Sequence, residues 1–172
     1  RCWFWYSVEG RDSMRRLEQL NVVLRDGDFE AGKKIANQDA SPYGAVAKSL
    51  LDIGASDAVA MEAVESQRPR IDRFMVALST IITAAPLLGI LGTVLGIIQS
   101  FRLLGDQAVL TDPSDVAGGI AAALLTTALG LIIALVTLFP YMLFKGWSTR
   151  AFGRLEALIA AAQQGLSKER PT

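Results

Sequence analysis

The chain has 172 residues, 51% of them hydrophobic, and its 17 basic and 17 acidic side chains cancel to a formal net charge of zero. Histidine is absent and the single cysteine is Cys2, which excludes an internal disulfide framework, the usual Cys/His zinc sites and any catalytic group built on histidine. No Walker-type glycine loop occurs, so the expectation is a non-enzyme without metal, cofactor or nucleic-acid partner.

Trp3, Phe4, Trp5 and Tyr6 form an aromatic cluster of the kind found at a membrane-water interface. Residues 1–8 are therefore expected to be the end of a first transmembrane helix that begins outside this sequence; a cluster packed on a soluble core is the alternative.

Residues 9–73 read as helical. Met14, Leu17, Leu20 and Leu24 recur at near-helical spacing, Gly27 is placed to end that helix, and Asp28 to cap the next. Pro42 and Gly44 interrupt the pattern before a short apolar helix through Val46, Leu50 and Leu51. Asp57 is the expected cap of a helix that runs on toward Phe101, kinked at Pro69.

Two stretches then carry no charge: 28 positions from Phe74 to Phe101 and 29 from Val116 to Phe144. About 20 apolar residues suffice to cross the hydrocarbon core, so both are long enough to span with some tilt. Residues 74–102 and 116–144 are the expected transmembrane helices; the alternative is a soluble bundle with two buried central helices. Beyond Trp147 the stripe Leu155, Leu158, Ile159 and Ala162 continues the second helix into a tail, 145–172.

Charge gives an orientation. The segment from Glu9 to Arg73 holds ten Lys or Arg and the tail holds five, whereas the loop 103–115 holds none and carries Asp106, Asp112 and Asp115. By the positive-inside rule 9–73 and 145–172 are cytoplasmic and 103–115 is periplasmic.

Within the first span Gly89, Gly92, Thr93 and Gly96 share one helix face; in the second Gly119, Ala123, Thr126, Gly130, Ala134 and Thr137 make a similar stripe. Small residues let helix backbones approach closely, so these faces are expected to pack on each other or on copies in an oligomer. Pro86 frees the carbonyl of Ile82 and should kink the first span, with Thr83 as a nearby donor. Neither span contains Asp, Glu, Lys, Arg or His. A hydroxyl can pass a hydrogen bond but cannot hold a net proton charge, so a proton pathway here needs a titrating group from a partner.

The run Ala85-Pro86-Leu87-Leu88-Gly89-Ile90-Leu91-Gly92-Thr93-Val94-Leu95-Gly96-Ile97-Ile98 resembles the second transmembrane helix of the MotA/TolQ/ExbB proton channel family. Gly119 to Leu131 is similar to its third, and Gly27-Asp28-Phe29-Glu30-Ala31 with Ser41-Pro42 and Gly44 is similar to the loop after its first, in each case in the ExbB/TolQ form. The resemblance implies an all-α membrane protein of the bacterial inner membrane, with long helices extending into a cytoplasmic helical region and subunits assembled as a pentamer. It also implies a single-span partner of the ExbD/TolR kind whose membrane Asp takes up protons, and pore-lining roles for Thr93, Thr127 and the adjacent Thr126. Where ExbB and TolQ place a glutamate in the third helix this chain has Ala122, as flagellar stators also lack that acid. The expected function is therefore a proton-channel subunit of a motor that energises transport or envelope maintenance, with a stator subunit or a non-conducting membrane scaffold as alternatives.

Overall fold

The computed structural model describes residues 10–105 and 113–169. The aromatic cluster at Trp3 to Tyr6 and most of the loop at 103–115 lie outside the described residues. Six helices account for nearly all of the rest, and no strand occurs among the described residues. They are α1 (Arg11–Asp26), α2 (Phe29–Gln38), α3 (Pro42–Ile53), α4 (Asp57–Ile71), α5 (Met75–Gly105) and α6 (Pro113–Glu169). The chain divides into two compact units, one made of the residues up to Arg73 together with those from Lys145 onward, the other running from Phe74 to Phe144.

The first unit is a helical bundle with a conventional apolar core. Leu17, Leu20 and Leu24 of α1, Val46 and Leu50 of α3, and Leu155 and Leu158 of α6 are all buried. Its turns follow local chemistry. Gly27 ends α1 at φ 83, a left-handed conformation that costs glycine nothing, and the Asp28 carboxylate accepts from the Ala31 N–H at 3.1 Å to cap α2. Ser41 caps α3, where Pro42 occupies the first turn. Gly44 sits within that turn instead of preceding the helix, and the Asp39 carbonyl lies where its β-carbon would be, so the position admits no side chain. The cap of α4 is Ser56, whose hydroxyl accepts from the Val59 N–H. Asp57 is the first helical residue, and its carboxylate instead accepts from the amide of Gln163 at 2.8 Å. At the far end, Lys168 donates to the Arg25 carbonyl at 3.1 Å, placing a cation at the negative end of α1.

The helix expected to run unbroken from Asp57 to Phe101 is interrupted. α4 stops at Ile71, Asp72 closes it, and α5 restarts at Met75 after Phe74, which adopts φ 68. Pro69 is accommodated inside α4 and is not the break. Asp72 is held from elsewhere: the Ser148 hydroxyl, on α6, donates to its carboxylate at 2.5 Å.

The second unit consists of α5 and the first part of α6. Leu87 (66% exposed), Leu91, Leu95, Val136 and Phe139 (68%) leave wide apolar surface uncovered. Only 6% of the most apolar stretch of α5 and 17% of that of α6 is buried. Buried central helices of a soluble bundle would show the reverse, and this many exposed apolar side chains on two helices call for an apolar surround. Pro140 also lies inside α6, a second proline in the uncharged stretches that sequence reasoning passed over.

Candidate functional site, a hydroxyl cluster on a glycine seam

Glycine decides how closely α5 and α6 approach within the second unit. A β-carbon added at Gly92 would lie 2.6 Å from the Thr126 hydroxyl oxygen, and one at Gly96 2.6 Å from Cβ of Ala123. At Gly89 it would meet the Thr126 carbonyl at 2.9 Å, at Gly130 the Ala85 carbonyl at 2.5 Å, and at Gly119 the Ser100 hydroxyl. Side-chain carbons do not come that near to non-bonded atoms, so Gly89, Gly92, Gly96 and Gly130 require the missing side chain, whereas at Gly119 the Ser100 hydroxyl would have to turn aside. The two small-residue faces thus pack on each other within one chain. Gly118, the neighbour of Gly119, meets nothing within 4 Å.

That close approach brings three hydroxyls to two backbone carbonyls. The Gly89 carbonyl is within hydrogen-bond distance of Oγ1 of Thr93 (3.2 Å), Thr126 (3.0 Å) and Thr127 (3.1 Å). The Ala123 carbonyl is equally within reach of Thr93 (3.0 Å) and Thr126 (2.7 Å). The hydroxyls of Thr93 and Thr127 also contact one another across the seam. Each threonine has one hydroxyl proton to give, so these contacts cannot all be made at once. The three protons have several near-equivalent placements, which lets hydrogen bonds be exchanged between the helices without moving a side chain.

The cluster is half-buried and carries no charge of its own. It can orient water or a partner's acid and pass a hydrogen bond along, but it cannot store a proton. No group of three or more His, Cys, Asp or Glu suited to hold a metal occurs among the described residues.

Ser100 extends the site and was missed from the sequence. It is 2% exposed, donates to the Gly96 carbonyl at 3.0 Å and abuts Gly119. The signal was available, since Ser100 continues the series Gly89, Gly92, Gly96 by one further step of four. Beside it opens a cleft of about 310 Å³ whose walls include Gln99, Ser100, Gly119 and Ala122. Ala122 thus lines open space next to the seam.

Thr83 does not serve the carbonyl freed by Pro86. Its hydroxyl reaches back to the carbonyls of Ser79 (3.1 Å) and Thr80 (3.0 Å). Helical side chains lean toward the N-terminus, so a threonine reaches the carbonyls three and four residues before it and not the one immediately preceding.

Residues 45–157, which include the whole seam, match the model of the MotA/TolQ/ExbB proton channel family. The ExbB-like 3 protein of Synechocystis sp. is 30% identical over 91% of this chain and 77% of its own length. The biopolymer transport protein exbB1 of Vibrio cholerae is 34% identical over 54% of this chain and 41% of its own. The Tol-Pal system protein TolQ of Pseudomonas aeruginosa is 36% identical over 54% of this chain and 39% of its own. The chain therefore spans less than half of the last two relatives. Two long uncharged helices with exposed apolar faces, joined by a glycine seam inside the matched region, agree with that assignment: the chain is a membrane protein belonging to the MotA/TolQ/ExbB proton channel family.

Proposed function

We propose that this chain is the proton-channel subunit of an inner-membrane motor of the ExbB/TolQ type, coupling the proton motive force to work across the envelope. The observation that carries the reading is the pairing of a hydroxyl cluster at the α5–α6 seam with two helices that hold no Asp, Glu, Lys, Arg or His from Phe74 to Phe101 or from Val116 to Phe144. Thr93, Thr126 and Thr127 line the proton pathway. The proton-binding acid comes from a single-span partner of the ExbD/TolR kind, enclosed by a homopentameric ring. Residues 74–102 and 116–144 cross the bilayer, 103–115 face the periplasm, and 9–73 with 145–172 are cytoplasmic.

The decisive experiment is proton flux in proteoliposomes. The subunit alone should pass no protons above background, and conduction should appear when a partner carrying a membrane aspartate is co-reconstituted. Flux through the lone subunit would defeat the partner-acid argument. Ala122, in place of the glutamate of ExbB and TolQ, favours a second reading, a flagellar-type stator subunit. Co-purification with a partner bearing a peptidoglycan-binding domain would select it, and the absence of any single-span partner would leave a non-conducting scaffold.

A further inference from the structure

Both uncharged stretches end in cations on the same side. The ten residues before Phe74 and the ten after Phe144 hold six Lys or Arg against two carboxylates. Both carboxylates are engaged within the first unit: Glu65 pairs with Arg68 at 2.8 Å, and Asp72 accepts from Ser148. The Asp72–Ser148 bond and the stacking of Arg68 over the Phe152 ring at 5.2 Å hold the end of α4 against α6. Arg70, in the last turn of α4, and Arg73, just beyond it, are thereby brought to the same end of that unit as Lys145 and Arg150 of α6, and all four are exposed. Arg150 does not point away from the apolar stretch. Its guanidinium turns back one helical turn to within 3.8 Å of a β-carbon position at Gly146, next to Lys145. Trp147, an amphipathic ring suited to the headgroup layer, lies between them in sequence.

The geometry points to an anionic phospholipid headgroup held by Arg70, Arg73, Lys145 and Arg150, with Trp147 beside it. The covalent chain ties this cluster to the bilayer surface: Arg73 precedes Phe74 directly and Lys145 follows Phe144 directly. A phosphodiester matches the charge and donor chemistry of paired guanidinium groups, and cations at this level gain from an anionic leaflet. The inference rests on the two helices crossing a bilayer and is independent of what the subunit conducts.

The test reads the fluorescence of Trp147 in a chain carrying Trp3→Phe and Trp5→Phe, reconstituted in phosphatidylcholine bilayers. Trace brominated phosphatidylglycerol should quench it several-fold more effectively than trace brominated phosphatidylcholine, and raised salt should shrink the difference. Lys145→Gln with Arg150→Gln should bring that preference close to unity, and Arg70→Gln with Arg73→Gln, at and just beyond the end of α4, should do the same. Lys33→Gln with Lys34→Gln, in α2, should leave it unchanged. Equal quenching by the two lipids, or a preference that survives both cation pairs, would overturn the headgroup site while leaving the proton-flux result untouched. Quenching by neither lipid would remove the membrane placement of Trp147 and the site with it.

Discussion

Thr93 of α5 and Thr127 of α6 reach the same acceptor, the Gly89 carbonyl, from opposite helices, and their hydroxyls touch each other there. The arrangement is redundant, because Thr126 reaches that carbonyl as well.

Redundancy sets the first prediction. Thr127→Val removes one of three donors while Gly89 keeps the other two, so assembly should weaken by no more than about 1 kcal/mol. Proton flux at matched amounts of assembled complex should nevertheless fall, because the lost hydroxyl is the one that bridges to Thr93. Thr127→Ser should retain flux. Undiminished flux in the valine variant would take Thr127 out of the pathway. A double-mutant cycle of Thr93→Val with Thr126→Val should cost more than the sum of the single changes, since together they strip Ala123 of both hydroxyl donors.

The seam gives a graded series. Gly130→Ala meets a backbone carbonyl that cannot rotate away, and Gly96→Ala meets another methyl. Each should destabilise the helix pair by about 1 to 3 kcal/mol, as overpacking does in other tight cores. Gly118→Ala, facing open space, should be neutral or slightly stabilising through helix propensity. Thermal melting in mild detergent measures all three, and equal melting of Gly118→Ala and Gly130→Ala would mean that α5 and α6 do not pack through this seam.

Orientation is open to direct labelling. A cysteine at Ser114 should react with a membrane-impermeant thiol reagent added to intact spheroplasts, and one at Ser167 should react only after lysis. Cys2 is first replaced by serine so that the label reports one site. The opposite pattern would invert the assigned topology.

The break between α4 and α5 yields the fourth. Ser148→Ala takes a hydroxyl donor from the Asp72 carboxylate and should cost about 1 to 3 kcal/mol. At Phe74, where φ is 68, Asn should be better tolerated than Ala, although both lose the ring, because asparagine accepts left-handed backbone more readily. Urea unfolding of the reconstituted protein would resolve the order, and Ala equal to or above Asn would show that the bend relaxes on substitution.

Length and charge made much of the architecture legible in the sequence. An uncharged run of 28 or 29 residues declares itself by composition alone, and Gly27 with Asp28 marks a helix end because the required φ and the capping oxygen belong to those residues themselves. The hydroxyls and glycines of the candidate site were equally visible, since helical spacing alone puts Gly89, Gly92, Thr93 and Gly96 on one face. What that face meets was not. Gly118 and Gly119 are indistinguishable until α5 is laid beside them and Ser100 arrives against only one. Nothing in Asp72-Arg73-Phe74 breaks a helix by propensity; the bend coincides with a bond from Ser148, 76 positions away. Local rules fix a residue's own backbone and cap, whereas helix pairing and long-range anchoring depend on atoms that only folding brings within 3 Å, and there the tertiary structure decided.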